Sequence, residues 1–150
     1  MASVLVALRN ILGRNRVPLF LIIGAQKAGT TALHNYLCQH PSIRSATTKE
    51  IHFFSTDFHY SKGLNYYHSK FPFALYGSLF LDASPSYLAS KVAYKRIYKY
   101  NPNIKMIVLL RDPVDRAYSA WSMYRARYQE NRNWFFDDWD ALFRFMADGL

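Results

Sequence analysis

Cysteine is nearly missing from this chain. Cys38 stands alone among 150 residues, which excludes an internal disulfide framework. It falls in a predicted helix, where packing as a small apolar residue is its expected role. The five histidines show no paired spacing typical of a zinc site, so no metal is expected. Acidic residues are scarce, 10 against 19 Lys and Arg, leaving a formal +9. That balance suits an anionic partner (nucleotide, sulfated or phosphorylated glycan, nucleic acid or anionic membrane), and it equally suits a merely soluble basic protein. Long hydrophobic runs are lacking too. Residues 1–12, MASVLVALRNIL, are broken by Arg9 and Asn10 and are too short to span a bilayer. No basic region precedes them and no small-residue cleavage site follows, which argues against a signal peptide. Val4, Leu5, Leu8 and Leu12 lie along one side of a predicted amphipathic helix, a short extension over 1–16 expected to pack on the domain. No transmembrane segment is expected, and the cytoplasm is the expected compartment. Repeats, low-complexity tracts and long linkers are absent.

What is present suffices for a core. The chain is 51% hydrophobic and 17% aromatic, which sets it apart from disordered sequences and fits one ordinary domain. Residues 17–23, VPLFLII, form a continuous apolar run ending at Gly24, as expected of a strand buried on both faces. A glycine-containing loop follows. Leu33, Tyr36 and Leu37 then recur at helical spacing, with Pro41 as a stop. Further strands are predicted at 78–82 and 104–110, with helices over 87–100, 113–128 and 139–147. Asp112 and Pro113 have the chemistry of an N-cap and a first helical residue. Strands alternating with helices predict an α/β domain, a parallel sheet flanked by helices, with a crevice beyond the carboxyl ends of the strands. Gly24–Thr31, Asp82–Ser86 and Arg111 would border it. Residues 42–76 read as a less regular, aromatic-rich insertion with short helices on the substrate side.

The loop GAQKAGTT, residues 24–31, carries the first chemistry. Gly24 and Gly29 permit a tight path and close approach of amides to an anion. Thr30 and Thr31 open a helix whose positive end points the same way and add hydroxyl donors. A plain strand-to-helix turn is the bland alternative. The pattern departs from Walker A, because Thr30 follows the second glycine and the lysine, Lys27, sits inside the loop. The third strand ends in Arg111 rather than a metal-binding carboxylate, which suits a phosphate better than magnesium. Both departures point to a nucleotide held without dependence on a metal.

Two further blocks complete a pattern. RDPVDRAYSAW at 111–121 offers Arg111 and Ser119 as phosphate contacts, although alone it marks only a helix start. KEIHFF at 49–54 offers Glu50 and His52. Together with QKAGTT at 26–31, these blocks resemble the sulfotransferase family that uses 3′-phosphoadenosine-5′-phosphosulfate (PAPS), in particular its heparan-sulfate-type branch. Their order and strand context match over residues 19–128. The resemblance implies a nucleotide-kinase-like P-loop sulfotransferase fold, with PAPS as donor and no metal. Lys27, Ala28, Gly29, Thr30 and Thr31 would cradle the 5′-phosphosulfate, with Lys27 beside the bridging oxygen. Arg111 and Ser119 would hold the 3′-phosphate. Glu50 matches the family's catalytic base, and His52 is the competing base, sharing its face along an extended segment. A base is needed because an acceptor hydroxyl is a weak nucleophile until its proton leaves, and a basic site would ordinarily weaken a carboxylate in that role. Lys49 is a further candidate contact for acceptor or phosphate.

Asp82, Ser84 and Ser86 resemble a segment lining the acceptor cleft. Tyr60, Tyr66, Tyr67, Trp121 and Tyr124 are candidates for stacking on sugar or adenine, against the commoner role in a core. The expected acceptor is a glycan or small molecule bearing a hydroxyl or amine, and no nucleic-acid partner is expected. Family members carry a later strand and a basic, glycine-containing loop, so the chain reads as the N-terminal portion of such a domain, incomplete at its C-terminus. The alternatives are a P-loop kinase or NTPase, and a non-catalytic nucleotide-binding remnant.

Overall fold

The computed structural model describes residues 17–73 and 78–130. The helices expected over 1–12 and 139–147 lie outside them. Strand β1, Pro18–Gly24, is central to a four-stranded sheet of order β2-β3-β1-β4, in which every pairing is parallel. The chain leaves β1 through the loop into α1, Thr30–Cys38, and reaches the outer strand β2, Ile43–Ser45. Short helices α2, Asp57–Tyr60, and α3, Gly63–Ser69, precede β3, Leu79–Ala83, which lies between β2 and β1. Helices α4, Ser86–Ala89, and α5, Ala93–Tyr100, lead to β4, Lys105–Val108, on the other side of β1. Helix α6, Pro113–Glu130, follows. Successive strands thus go first to one flank of β1 and then to the other. That reversal opens a crevice at the carboxyl edge of the sheet.

The apolar run of β1 is explained by burial on both faces. Leu21 and Ile22, successive residues of a pleated strand, point to opposite sides, and both are buried. Leu21 joins an aromatic cluster with Phe53, Phe54, Tyr67, Phe80 and Tyr87. Ile22 joins Leu81 and Ala83 beneath Leu33 and Leu37 of α1. Phe53 stacks on Tyr67 with centroids 4.5 Å apart, and Phe54 meets both edge-on at 5.0 Å. Each such ring contributes about 1.5–3 kcal/mol by burial, and favourable ring pairs add about 0.5–1.5 kcal/mol. Within the irregular segment, residues 42–73 therefore supply much of the core, with Tyr67 in its interior and Tyr60 and Tyr66 packed against it.

Two expectations need correction. The insertion contains a strand, β2, because Ile43–Ser45 pairs with Leu79–Leu81 at the sheet edge. The helix expected over 87–100 is two helices. Ser90 is extended, at φ −82° and ψ 120°, and its hydroxyl accepts from the Ala93 amide at 3.3 Å, restarting the helix. The boundary at Pro113 is as expected: Asp112 Oδ1 accepts from the Asp115 amide at 3.1 Å.

Candidate active site

Gly24 ends β1 with φ +153°, and a Cβ there would meet Leu88 Cβ at 2.6 Å. Only glycine lets the chain turn so close to α4. The Ala25 amide donates to the Leu109 carbonyl at 2.7 Å and the Leu109 amide to the Gly24 carbonyl at 2.8 Å, tying the loop to the end of β4. Lys27 takes φ +68° and Gly29 φ +91°, after which α1 begins. No side chain caps α1 and no acid lies in its first turn, so its positive end faces outward unneutralised. A Cβ on Gly29 would meet nothing within 4 Å; its glycine requirement is therefore conformational.

A cavity of about 670 Å³ opens in front of this turn. The loop lines it with Gln26, Lys27, Gly29, Thr30 and Thr31; the 49–52 segment adds Lys49, Glu50 and His52; α6 adds Ser119, Met123 and Arg127. Stretches far apart in the sequence thus meet at one cavity. The lining holds three cationic side chains, Lys27, Lys49 and Arg127, against one carboxylate, Glu50. Such a wall favours an anion, and the volume suits a nucleotide-sized ligand.

Glu50 is held from both sides. Lys49 Nζ lies 3.4 Å from Glu50 Oε1 and donates to Thr31 Oγ1 at 3.0 Å, bridging the start of α1 to the carboxylate. His52 Nε2 lies 3.4 Å from Glu50 Oε2, and His52 Nδ1 is 2.8 Å from Ser86 Oγ. Ser86 Oγ is in turn 3.0 Å from Ser55 Oγ. With Ser86 donating to Nδ1, the ring proton sits on Nε2 and faces the carboxylate. The expected shared face of Glu50 and His52 is present, but not through extended alternation. His52 has φ +54°, and this left-handed turn brings its ring back to Glu50.

Not every expected residue reaches the cavity wall. Ala28 stands off it, with its amide donating to Ala25 O at 3.2 Å inside the turn. Arg111 lies behind the loop: its Nη1 donates to the Lys27 carbonyl at 3.4 Å and its Nη2 is 3.6 Å from Asp115 Oδ2. Asp82 and Ser84, expected along the acceptor cleft, are instead fully buried. Pro85 lines the cavity and Ser86 binds His52. Burial raises the Asp82 carboxyl above its ordinary 3.8, while hydrogen bonds from Tyr87, Ser84 and Tyr67 pull it down. Among the aromatic candidates, Tyr67 is core, and Tyr124 donates to Gln26 Oε1 at 3.2 Å, a loop contact. Met123 and Arg127 were legible but unread: Ser119, Met123 and Arg127 recur every four residues, one face of a helix. Among the described residues no three His, Cys, Asp or Glu side chains gather as metal ligands would.

A wound parallel sheet with a basic, glycine-turned cavity at its carboxyl edge defines the class: an α/β domain whose cavity suits an anionic ligand. The sulfotransferase domain family matches residues 18–149, and the chain belongs to that family. It is 35% identical over 121 residues to mouse heparan sulfate glucosamine 3-O-sulfotransferase 5, covering 80% of this chain and 35% of that protein. It is 42% identical over 110 residues to human heparan sulfate glucosamine 3-O-sulfotransferase 6, covering 73% of this chain and 31% of that protein. A crystal structure of a sulfotransferase from Alicyclobacillus acidocaldarius superimposes with a TM-score of 0.67 at 32% identity, covering 77% of this chain and 53% of that one. The chain spans about a third of the length of these curated relatives.

Proposed function

We propose that this chain carries the donor-binding and base-bearing part of a PAPS-dependent sulfotransferase acting on a hydroxyl or amine of a carbohydrate. The supporting observation is the single cavity wall shared by Lys27 and Gly29–Thr31, by Glu50 with its partners, and by Ser119. The carbohydrate acceptor rests on the relatives, which are heparan sulfate sulfotransferases. PAPS supplies a sulfuryl group whose departure leaves 3′,5′-ADP.

The chain's own residues divide the work. Lys27 and the positive start of α1 stabilise the negative charge that develops on the departing 5′-phosphate. Gly29, Thr30 and Thr31 cradle that phosphate, and Ala28 shapes the turn. Glu50 takes the proton of the acceptor group as its oxygen or nitrogen bonds to sulfur and the sulfur–phosphate oxygen bond breaks. His52 orients Glu50 and is the competing base. Lys49 joins the base to the phosphate cradle through Thr31, so the two reacting ends are held at one spacing. Ser119 takes the 3′-phosphate from α6, with Arg127 on the same helix face. Arg111 acts at the 3′-phosphate by swinging from the Lys27 carbonyl, a weak contact at 3.4 Å. The cytoplasm remains a proposed compartment, taken as the default; recovery of a tagged chain in the secretory lumen would reject it.

Calorimetry tests the donor assignment. 3′,5′-ADP is expected to bind about tenfold or more tighter than 5′-AMP, and the Ser119→Ala, Arg111→Ala double variant to erase most of that preference. Equal affinity for the two nucleotides, or binding of magnesium-ATP alone, would favour the kinase reading. Glu50→Gln is expected to keep 3′,5′-ADP affinity while turnover falls by roughly 10²-fold. Tight 3′,5′-ADP binding with no transfer by the unaltered chain would favour a binding remnant.

A further inference from the structure

The reaction as proposed leaves unused the one carboxylate that is buried among the described residues. Asp82, 0% exposed, sits on an interior strand against the aromatic cluster, a costly place for a carboxylate unless both its oxygens are engaged. They are engaged by hydroxyls alone. Tyr67 OH donates to Oδ2 at 2.9 Å, Tyr87 OH to the same oxygen at 2.8 Å, and Ser84 Oγ to Oδ1 at 2.8 Å.

An ionised carboxylate only accepts, so the single proton of Ser84 is committed to it. The lone pairs of Ser84 are thereby turned outward, and two backbone amides use them: Ile51 N–H at 3.1 Å and His52 N–H at 3.2 Å. These are the two amides directly after Glu50. His52 occupies a left-handed conformation at φ +54°, one that residues with side chains adopt only when their surroundings hold them there. Ser84 grips that residue at its amide, while Ser86, two positions on, grips its ring at Nδ1. The ring and Glu50 then meet at 3.4 Å in the cavity.

We propose that Asp82 and Ser84 are positioning residues for sulfuryl transfer, a buried carboxylate–hydroxyl pair that fixes the backbone at Ile51–His52 and so aims Glu50 and His52 at the acceptor. The proposal rests on Glu50 as base. Its chemistry is directional: an acceptor-only group in the core dictates which way a hydroxyl faces, and that hydroxyl dictates the turn of the catalytic segment. Neither residue touches the cavity wall, so neither is expected to affect donor binding.

Ser84→Ala is the test, made in the full chain beside Glu50→Gln and the double variant. The expected result is a fall in kcat of about tenfold or more, 3′,5′-ADP affinity within about twofold of the unaltered chain, and little further loss when Ser84→Ala is added to Glu50→Gln, as for residues acting through one another. A kcat within about twofold of the unaltered chain, a parallel loss of donor affinity, or full additivity with Glu50→Gln overturns the proposal. If Ser84→Ala does not fold, Asp82→Asn, which keeps the shape and one acceptor oxygen, carries the same test with a smaller expected fall. Full turnover by Glu50→Gln would remove Glu50 as base, a failure of the functional reading and not of the anchoring. In that case, or if the chain transfers no sulfate, hydrogen exchange reads the anchor directly. In Ser84→Ala, or in Asp82→Asn where that is the variant that folds, the Ile51 and His52 amides should exchange about tenfold or more faster while that of Leu21 is unchanged. Unchanged exchange at both amides overturns it.

Discussion

The two flanks of β1 are built differently. On the β3 side, four of five strand residues are buried, the aromatic cluster closes over them, and the 49–54 segment is pinned to the interior. On the β4 side, three of four strand residues are exposed. Met106 is 54% exposed and Leu110 79%, and an apolar hollow of about 520 Å³ lies between β4 and α5, lined by Ile97, Tyr98, Pro102, Ile104 and Met106 among others. The flank that carries the proposed base is thus fixed by core packing. The flank that carries Arg111 and Ser119 is held by the β1–β4 pairing, by small or partly buried side chains such as Ile107, Leu109, Ala117 and Ala120, and by polar contacts such as Arg111 to the Lys27 carbonyl and Tyr124 to Gln26, with no aromatic cluster closing over it. Proton transfer needs its atoms at one separation, while a phosphate contact through a long side chain tolerates adjustment.

The largest expected difference between the flanks is in stability. Phe53 is fully buried and touches Phe54, Tyr60 and Tyr67, so Phe53→Ala should cost about 3–5 kcal/mol. Met106→Ala removes an exposed side chain and should stay within about 0.5 kcal/mol. Denaturant unfolding of both variants measures the contrast; equal losses would mean that β4 is as integral to the core as β3 and would end the comparison.

Helix capping sharpens it by reversing the order. Asp112 Oδ1 accepts from the Asp115 amide at 3.1 Å and places a negative charge at the start of the eighteen-residue α6. Thr56 accepts from His59 at a longer 3.4 Å and starts only the four-residue α2. Asp112→Ala should therefore cost about 1 kcal/mol, and Thr56→Ala less, because packing already holds α2. Arg96 also fastens that region, pairing with Asp57, donating to the Phe54 carbonyl at 3.2 Å and lying over the Tyr60 ring. Thermal melting ranks the two variants. The opposite ranking would show that the β3 flank depends on local capping after all.

The same asymmetry explains what could be read from the sequence. β1, β3 and β4 announce themselves as apolar runs, and Asp112-Pro113 as a helix start, because each signal is local. β2 does not, since Ile43–Ser45 is three residues with one apolar side chain, and only pairing with β3 makes it a strand. Residues 49–54 were legible as a block bearing Glu50 and His52. The manner of their meeting was not, because the turn at His52 is held by Ser84, more than thirty positions away. Asp82 looked like a cleft residue for the same reason: a carboxylate at a strand end reads as exposed until its three hydroxyl partners are brought together by the fold. Arg111 was expected directly at the end of a strand over 104–110, but β4 ends at Val108, and the reach of Arg111 to the loop carbonyl depends on a side-chain rotamer that no sequence pattern encodes.

The smallest expected effect concerns pH on the packed flank. His68 of α3 pairs through Nε2 with Tyr100 OH at 2.9 Å and lies against the Tyr67 ring. Burial holds its pKa below the ordinary 6.5, since the charged imidazolium is poorly solvated there. The unfolded chain therefore takes up this proton before the folded one does. The stability due to the neutral ring is fully present above about 6.5 and is lost as pH falls through the folded value. His68→Gln keeps a polar partner for Tyr100 without titrating, so the stability difference between the unaltered chain and the variant should shrink from about pH 7.5 to about pH 5. Denaturant midpoints at the two pH values measure it. A difference that stays constant, or widens in acid, would mean that the ring is solvated and that this edge of the aromatic cluster is as open as β4.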